Sequence, residues 1–418
     1  MRADNARDAD ALTIGGLELT EQEISAEIRV DERSFPLWFR VANGSFGRDL
    51  DFLVPVTLLP AMRLGAHLTL PGPVSPRLVA SVRKLQEIFR LWNEAYHAVP
   101  VDVPTGVTPR GGNDAVGCFF SGGVDSFYSM LHHQDEITHL IFVNVGFDRP
   151  DPLALDNVRR AADELGRPLV EIETNLRSFS NSCAVEFADY GGAALAAIGL
   201  LLQHEFKKVM IGSTFSYFAL PRWGSHPLTD PLWSTESLEV FHAGVEATRP
   251  MKVARIASDD VAMRRLRVCH PRAGETGKSL NCGQCSKCLR TMINLRVVGA
   301  LGRCETLPDD LDLREVADLP IKDDRDLAFM LENLRALESD GHDEPLAAAL
   351  RSSLEKQAGR AASVSDVDVD DAWLMRRRLH HAERTVRKRD RELRQLKSSV
   401  GWRVLAPVRA FGRIRSRG

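Results

Sequence analysis

The sequence predicts an α/β fold: a doubly wound parallel sheet, preceded by a small α+β domain and followed by a helical region. Three observations carry this. Short runs of β-formers alternate with helix-spaced segments between Val116 and Ser213; one strand-to-helix junction, Ser121–Ser126, is built as an anion-binding turn; and the chain is too long for one core. It has 418 residues, 44% of them hydrophobic and 27% charged, which describes a globular protein of two or three domains. No apolar stretch reaches the length of a membrane span. The N-terminus, MRADNARDADALTIGG, lacks an apolar h-region, so no signal peptide is expected and the cytoplasm is the expected compartment.

In chain order, residues 1–11 are polar, and Leu12 to Leu59 reads as strand-like, with alternation in Glu27-Ile28-Arg29-Val30 and an apolar run over Leu37–Val41. Ser75 is placed to start a helix with Leu78, Val82, Leu85, Ile88, Phe89 and Trp92 on one face. Val99 to Gly112 is rich in Pro and Gly and reads as a linker, which closes a first domain over 1–110. Strands are then expected at Val116–Phe120, Ile137–Val145, Leu169–Glu173 and Lys208–Ser213, with helices at Phe127–His133, Leu153–Leu165 and Cys183–His204. Right-handed crossovers make such a sheet parallel. Ligands bind at its carboxyl ends, here the 121–126 loop, Asn144–Phe147 and Gly212–Thr214. Ser216 to Ala254 reads as a long, mostly irregular segment and a substrate-binding wall, with His226, Glu236, Glu239, His242, Arg249 and Lys252 as its polar candidates.

The turn Ser121-Gly122-Gly123-Val124-Asp125-Ser126 suits phosphate. Gly122 and Gly123 remove the Cβ atoms that would keep an anion from the backbone N–H groups, Ser121 and Ser126 add hydroxyl donors, and a helix dipole begins just beyond. Asp125 would repel a phosphate unless a cation lay between them, which implies Mg²⁺. Farther on, Cys282, Cys285 and Cys288 have the spacing that lets thiolates converge on one Zn²⁺. Cys269 is the first choice for a fourth ligand, with His270 and Cys304 as alternatives. An odd total of seven cysteines, three of them clustered, suits a metal in a reducing compartment better than disulfides.

Ser-Gly-Gly-x-Asp-Ser is the signature of the PP-loop ATP pyrophosphatases, and the sequence resembles that superfamily, whose fold is the adenine nucleotide alpha-hydrolase-like sheet. The addition of Cys269 and the Cys282-Gly283-x-Cys285-x-x-Cys288 cluster makes residues 115–300 similar to the 7-cyano-7-deazaguanine synthase family. The resemblance implies ATP at Ser121, Gly122, Gly123, Val124 and Ser126 and adenosine against Val143, Asn144 and Val145; the place of Gly212 at a strand's carboxyl end makes it a further candidate contact, unless it simply ends its strand. The resemblance gives catalytic roles to Asp125 and to Lys252, the latter on the phosphates. Zn²⁺ would be structural. The implied reaction adenylates a carboxylate or carbonyl oxygen, releases pyrophosphate, and lets ammonia or another nucleophile displace AMP to give an amide or nitrile. Thiolation is an alternative, and so, from another class, is a nucleotide-binding sensor or assembly module in a defence or surface-polysaccharide system. This chain departs from the family in a longer Cys269–Cys282 loop, in residues 216–254 and at both ends, so the acid is left open. Within that longer loop Gly274–Ser279 imitates a Walker A motif, but Arg272 stands where its first Gly is required.

The PP-loop domain is drawn over 111–305, followed by a helical lobe over 306–360 and a tail over 361–418. The formal charge of −3 hides an asymmetry: Asp371–Gly418 holds 15 Lys+Arg against 4 Asp+Glu, net +11, which leaves −14 for the rest. A heptad with Leu379, Val386, Leu393 and Val400 at a and Met375, Ala382 and Leu396 at d, interrupted by Arg389, gives a short coiled coil and a homodimer as an expected partner. The last residues interleave Trp402, Leu405, Val408, Phe411 and Ile414 with arginines, which suits an anionic membrane surface, with nucleic acid as the competing partner.

Overall fold

The computed structural model of the protein describes residues 11–30, 32–106, 114–144, 152–269, 279–340 and 343–362. Ten strands lie in one sheet: β1 (Ala11–Leu19), β2 (Glu23–Val30), β3 (Arg33–Val41), β4 (His67–Thr69), β5 (Val101–Asp102), β6 (Ala115–Phe119), β7 (His139–Asn144), β8 (Leu169–Thr174), β9 (Phe206–Gly212) and β10 (Glu239–Ala243). Their order is β10-β9-β6-β7-β8-β3-β2-β1-β4-β5. From β6 the chain winds outward both ways, to β7 and β8 on one side and to β9 and β10 on the other, all in parallel. The helices are α1 (Leu53–Leu64), α2 (Pro76–Trp92), α3 (Val124–His132), α4 (Pro152–Glu164), α5 (Leu176–Ser182), α6 (Phe187–Leu201), α7 (Arg249–Ala257), α8 (Asp260–Arg265), α9 (Ser286–Val297), α10 (Leu313–Ala317), α11 (Asp324–Asp340) and α12 (Glu344–Ala362). None of the described helices is long and apolar enough to cross a membrane.

Strand β9 shows that helices cover both faces. A Cβ on Gly199 of α6 would meet Val209, whereas one on Gly212 would meet Asp125 and Ser129 of α3. Residues three apart on a strand point to opposite faces, so α6 and α3 lie on opposite sides of the sheet. Strands covered this way read as near-continuous apolar runs, which is why β6, β7 and β9 are legible in the sequence.

The boundary expected near residue 110 is not a boundary of packing. Strand β3 pairs antiparallel with β8, Phe39 opposite Thr174 and Val41 opposite Ile172, so the N-terminal meander extends the parallel sheet and covers an edge that would otherwise be bare. The main-chain N–H of Trp38 donates to Asn175 Oδ1 at 2.8 Å, and Thr174 Oγ1 donates to the Trp38 carbonyl at 2.8 Å. Residues up to Leu350 form one unit and Arg351–Gly418 a second.

Three elements differ from expectation. Leu53–Leu64 is a helix inside the stretch read as strand-like; Leu53 to Met62 are all buried, so no polar face marks the helical period. The helix expected over Cys183–His204 spans Phe187–Leu201, and a further helix that was not expected, Leu176–Ser182, precedes it, with Ala184 at φ 57° between the two. The segment 216–254 is mostly irregular, as expected, but not throughout. It holds β10 and the start of α7, and its candidate His242 forms a buried pair with Asp230 at 2.7 Å in the fold's interior. Helix α2 begins where Ser75 predicts, with Ser75 Oγ accepting from Leu78 N at 3.1 Å.

Candidate active site

The loop after β6 is shaped by its two glycines. Gly122 takes φ +73°, a conformation side chains disfavour. The carbonyl of Gly122 accepts from Arg267 N at 2.8 Å, Ser126 Oγ donates to the Gly123 carbonyl at 3.0 Å, and Ser121 N donates to Ser126 Oγ at 3.3 Å. Ser126 is therefore buried and spent on holding the loop's shape, while Ser121 is exposed. Among the described residues the N–H groups of Gly122, Gly123, Val124 and Asp125 find no acceptor. Unpaired N–H donors at the start of a helix suit an anion.

Asp125 stands on the first turn of α3, and α7 packs against that helix. Arg249 and Lys252, one helical turn apart on α7, both reach Asp125 Oδ1, at 2.6 and 3.5 Å. Burial alone would raise the pKa of the Asp125 carboxyl, but the charges of Arg249 and Lys252 outweigh it and hold it below the usual carboxylate range. The two cations differ in access. Lys252 is 1% exposed, donates to the Ser213 carbonyl, and has its pKa lowered by burial, opposed by Asp125; Arg249 lines the open cavity. Lys252, expected to reach phosphates, is thus enclosed and props Asp125 and the end of β9 from below, whereas Arg249 faces the cavity. Glu332 of α11 accepts from Arg249 N at 2.8 Å and from Ser216 Oγ, which fixes the start of α7. The case for Mg²⁺ also changes: the cations beside Asp125 are the protein's own. Oδ2 accepts no hydrogen bond among the described residues and stays available to a metal.

The cavity has a volume of about 460 Å³, within the range of small-molecule sites. Ser121, Gly123, Val124 and Asp125 form one wall, and α9 forms another with Lys287, Arg290, Thr291 and Asn294, spaced to share one helix face. Phe329, with Lys322, Asp323, Arg325 and Asp326 beside it, closes the far side. That side was not legible, since charges on a predicted helical lobe look like a solvated face. Arg249 is named in the sequence only as one wall candidate among six; what would have singled it out is Thr248-Arg249-Pro250, a helix start that sets Arg249 and Lys252 on one face.

Other expected residues are placed as follows. Val143 and Asn144, half-buried, end β7 at the carboxyl edge beside the loop; Val145 and His270 lie outside the described residues, as do most of Gly274–Ser279 and the tail from 363. A Cβ on Gly212 would come within 3.0 Å of the Asp125 carbonyl oxygen, so this glycine serves the close approach of α3 to β9. Of the remaining wall candidates, Glu236 accepts from Ser75 Oγ and Arg77 N at the start of α2, Glu239 sits by Lys208, and His226 and His242 are buried around Asp230. None of these lines the cavity.

Cys269, Cys282, Cys285 and Cys288 come together, their sulfurs all within 4.8 Å of one another. Three separations are 3.7, 3.8 and 3.5 Å, and a tetrahedron with Zn–S bonds of about 2.3 Å has edges of about 3.8 Å. The donor set therefore fits a four-coordinate, sulfur-binding metal such as zinc. Burial pushes Cys269 up to about 11; it would raise Cys282 too, but the N–H groups of Gln284 and Cys285 outweigh it and bring that thiol down to about 7. Gly283 at φ +75° makes the turn, where a Cβ would lie 2.9 Å from Pro308. Cys304, the alternative ligand, instead contacts Thr306 Oγ1 at 3.5 Å. Asn281 links this centre to the loop: its Oδ1 accepts from Val268 N and Cys269 N, its Nδ2 donates to the Leu266 carbonyl, and the same segment supplies Arg267 N to Gly122.

The chain matches no protein-family model, and no curated protein matches it.

Proposed function

We propose that the protein is an ATP-dependent enzyme that cleaves ATP between its α and β phosphates and passes AMP to an acid substrate. The observation that carries this reading is the juxtaposition of the acceptorless N–H groups of Gly123, Val124 and Asp125 with Arg249 around one open cavity. Those donors and the helix dipole suit the β and γ phosphates, and Arg249 offsets the charge that builds on the departing pyrophosphate. Lys252 and Asp125 hold Arg249 in place. A substrate carboxylate oxygen attacks the α-phosphorus, the bond to the bridging oxygen breaks, and pyrophosphate leaves with the electron pair. Ammonia then attacks the carbonyl carbon of the mixed anhydride, AMP leaves, and an amide results. Mg²⁺, with Asp125 Oδ2 to hold it, would supply charge neutralisation on the phosphate oxygens. Zn²⁺ on the four cysteines would hold the Leu266–Cys269 segment against the loop, without touching the reacting atoms.

An isotope experiment tests the adenylation. Acids enriched with ¹⁸O in the carboxylate should pass one labelled oxygen to AMP when turned over with ATP, Mg²⁺ and ammonia. AMP that carries oxygen from water alone would overturn carboxylate activation.

A further inference from the structure

The cavity holds more positive charge than the loop and Asp125 account for. Each of its three carboxylates already has an arginine: Asp125 has Arg249 at 2.6 Å, Asp326 has Arg290 at 2.8 Å, and Asp323 has Arg325. Two ammonium groups on the cavity wall, Lys287 and Lys322, have no ion-pair or hydrogen-bond partner among the described residues. They belong to different segments, Lys287 to the first turn of α9 and Lys322 to the strand-free stretch before α11, and the fold brings both to the same cavity. Both side chains are solvent-exposed at the cavity, where two like charges without a counter-charge leave a positive field that draws an anion. The aromatic floor narrows the ligand. Arg290 lies over Phe329 at 4.8 Å and Arg325 over Trp223 at 4.9 Å, so the guanidinium planes of Arg290 and Arg325 are engaged by rings and by aspartates, while the two lysines are not. A lysine acts on phosphate as a point charge, without the planar fork that favours carboxylate.

We infer that Lys287 and Lys322 form a second anion subsite, and that the acid substrate carries a phosphate-type group there in addition to the carboxylate that is activated. Two unpaired ammoniums match the charge of about −1.5 to −2 on a phosphate monoester. With the phosphate seated between the lysines, the acid's other end is directed across the cavity toward the loop. The inference rests on the adenylation reading for what happens to the carboxylate, but the subsite itself does not depend on it.

The test is equilibrium binding to the full chain, zinc loaded, with 3-phosphoglycerate as the phosphorylated acid, glycerate as the same acid without phosphate, and ATP as a third ligand. Wild type should bind 3-phosphoglycerate about tenfold or more tighter than glycerate, the gain expected of a charge-assisted phosphate contact. Lys322→Gln and Lys287→Gln should each remove about tenfold of that affinity and leave glycerate and ATP within about twofold. Lys322→Gln is the decisive variant, because it is distant in sequence from the thiolates; zinc content is measured for Lys287→Gln. Equal affinity for the two acids overturns the subsite. So does a loss of ATP affinity in the lysine variants with 3-phosphoglycerate unchanged, which would assign the lysines to the triphosphate. Lysine-dependent 3-phosphoglycerate binding in a chain that never binds ATP would keep the subsite and remove the nucleotide reading instead.

Discussion

Arg249 and Lys252 reach the same oxygen of Asp125, yet their substitutions should fail in different ways. Arg249 faces the cavity, so Arg249→Gln should lower kcat for AMP formation on the order of 10²-fold, the usual cost of a lost transition-state donor, with little change in folding. Lys252 is enclosed. Lys252→Met leaves its partners buried and should cost about 3 kcal/mol of stability, read as a lower denaturation midpoint. The Asp125 carboxyl adds a pH signature. Because its folded pKa lies below the ordinary value, the unfolded chain binds the extra proton. The contribution is fully present above the unfolded value of about 4 and is lost as the pH falls through the folded one. Thermal midpoints of wild type should therefore decline more steeply in acid than those of Asp125→Asn; parallel curves would show that the carboxylate carries no net stabilisation.

At the scale of elements, the segment Leu266–Cys269 couples the cysteine cluster to the loop through Asn281 and the Arg267–Gly122 hydrogen bond. Asn281→Ala should keep the metal, since all four sulfurs remain, and raise KM for ATP about tenfold, a loss of about 1.4 kcal/mol. Unchanged KM with full zinc would show that the clip does not set the loop. Cys285→Ser should lose the metal and destabilise the fold, as expected where binding and folding are linked. These pieces were legible for a physical reason: the loop is six consecutive residues and three cysteines lie within seven, so local spacing specifies both. Cys269 followed because a closed site needs a fourth ligand. Helix α1 was hidden because every face of Leu53–Met62 is buried, and β10 because five residues beside a 3-10 turn leave too short a pattern. The far wall of the cavity was hidden for the opposite reason. Lys287, Arg290, Lys322 and Arg325 carry the charges of an exposed surface, and only tertiary packing gathers them around one cavity.

For the whole molecule, residues up to Leu350 form one unit, bound together by the continuous sheet. Loop, cavity and cysteine centre all lie within it. Deleting residues 371–418 should therefore leave ATP cleavage intact and abolish co-sedimentation with anionic vesicles, a binding that in wild type should weaken with salt because charges are screened over about 10 Å at 0.1 M. Cleavage lost on deletion would place part of the active unit in the tail. In the proposed reaction the β6–α3 loop directs attack to the α phosphate. This is tested most directly by giving wild type and Asp125→Asn ATP labelled at the α-phosphorus, with Mg²⁺, ammonia and a panel of phosphorylated acids, and identifying the labelled product. The account predicts AMP from wild type and at least about 10²-fold less from the variant; labelled ADP, or AMP formed equally by both proteins, would contradict it.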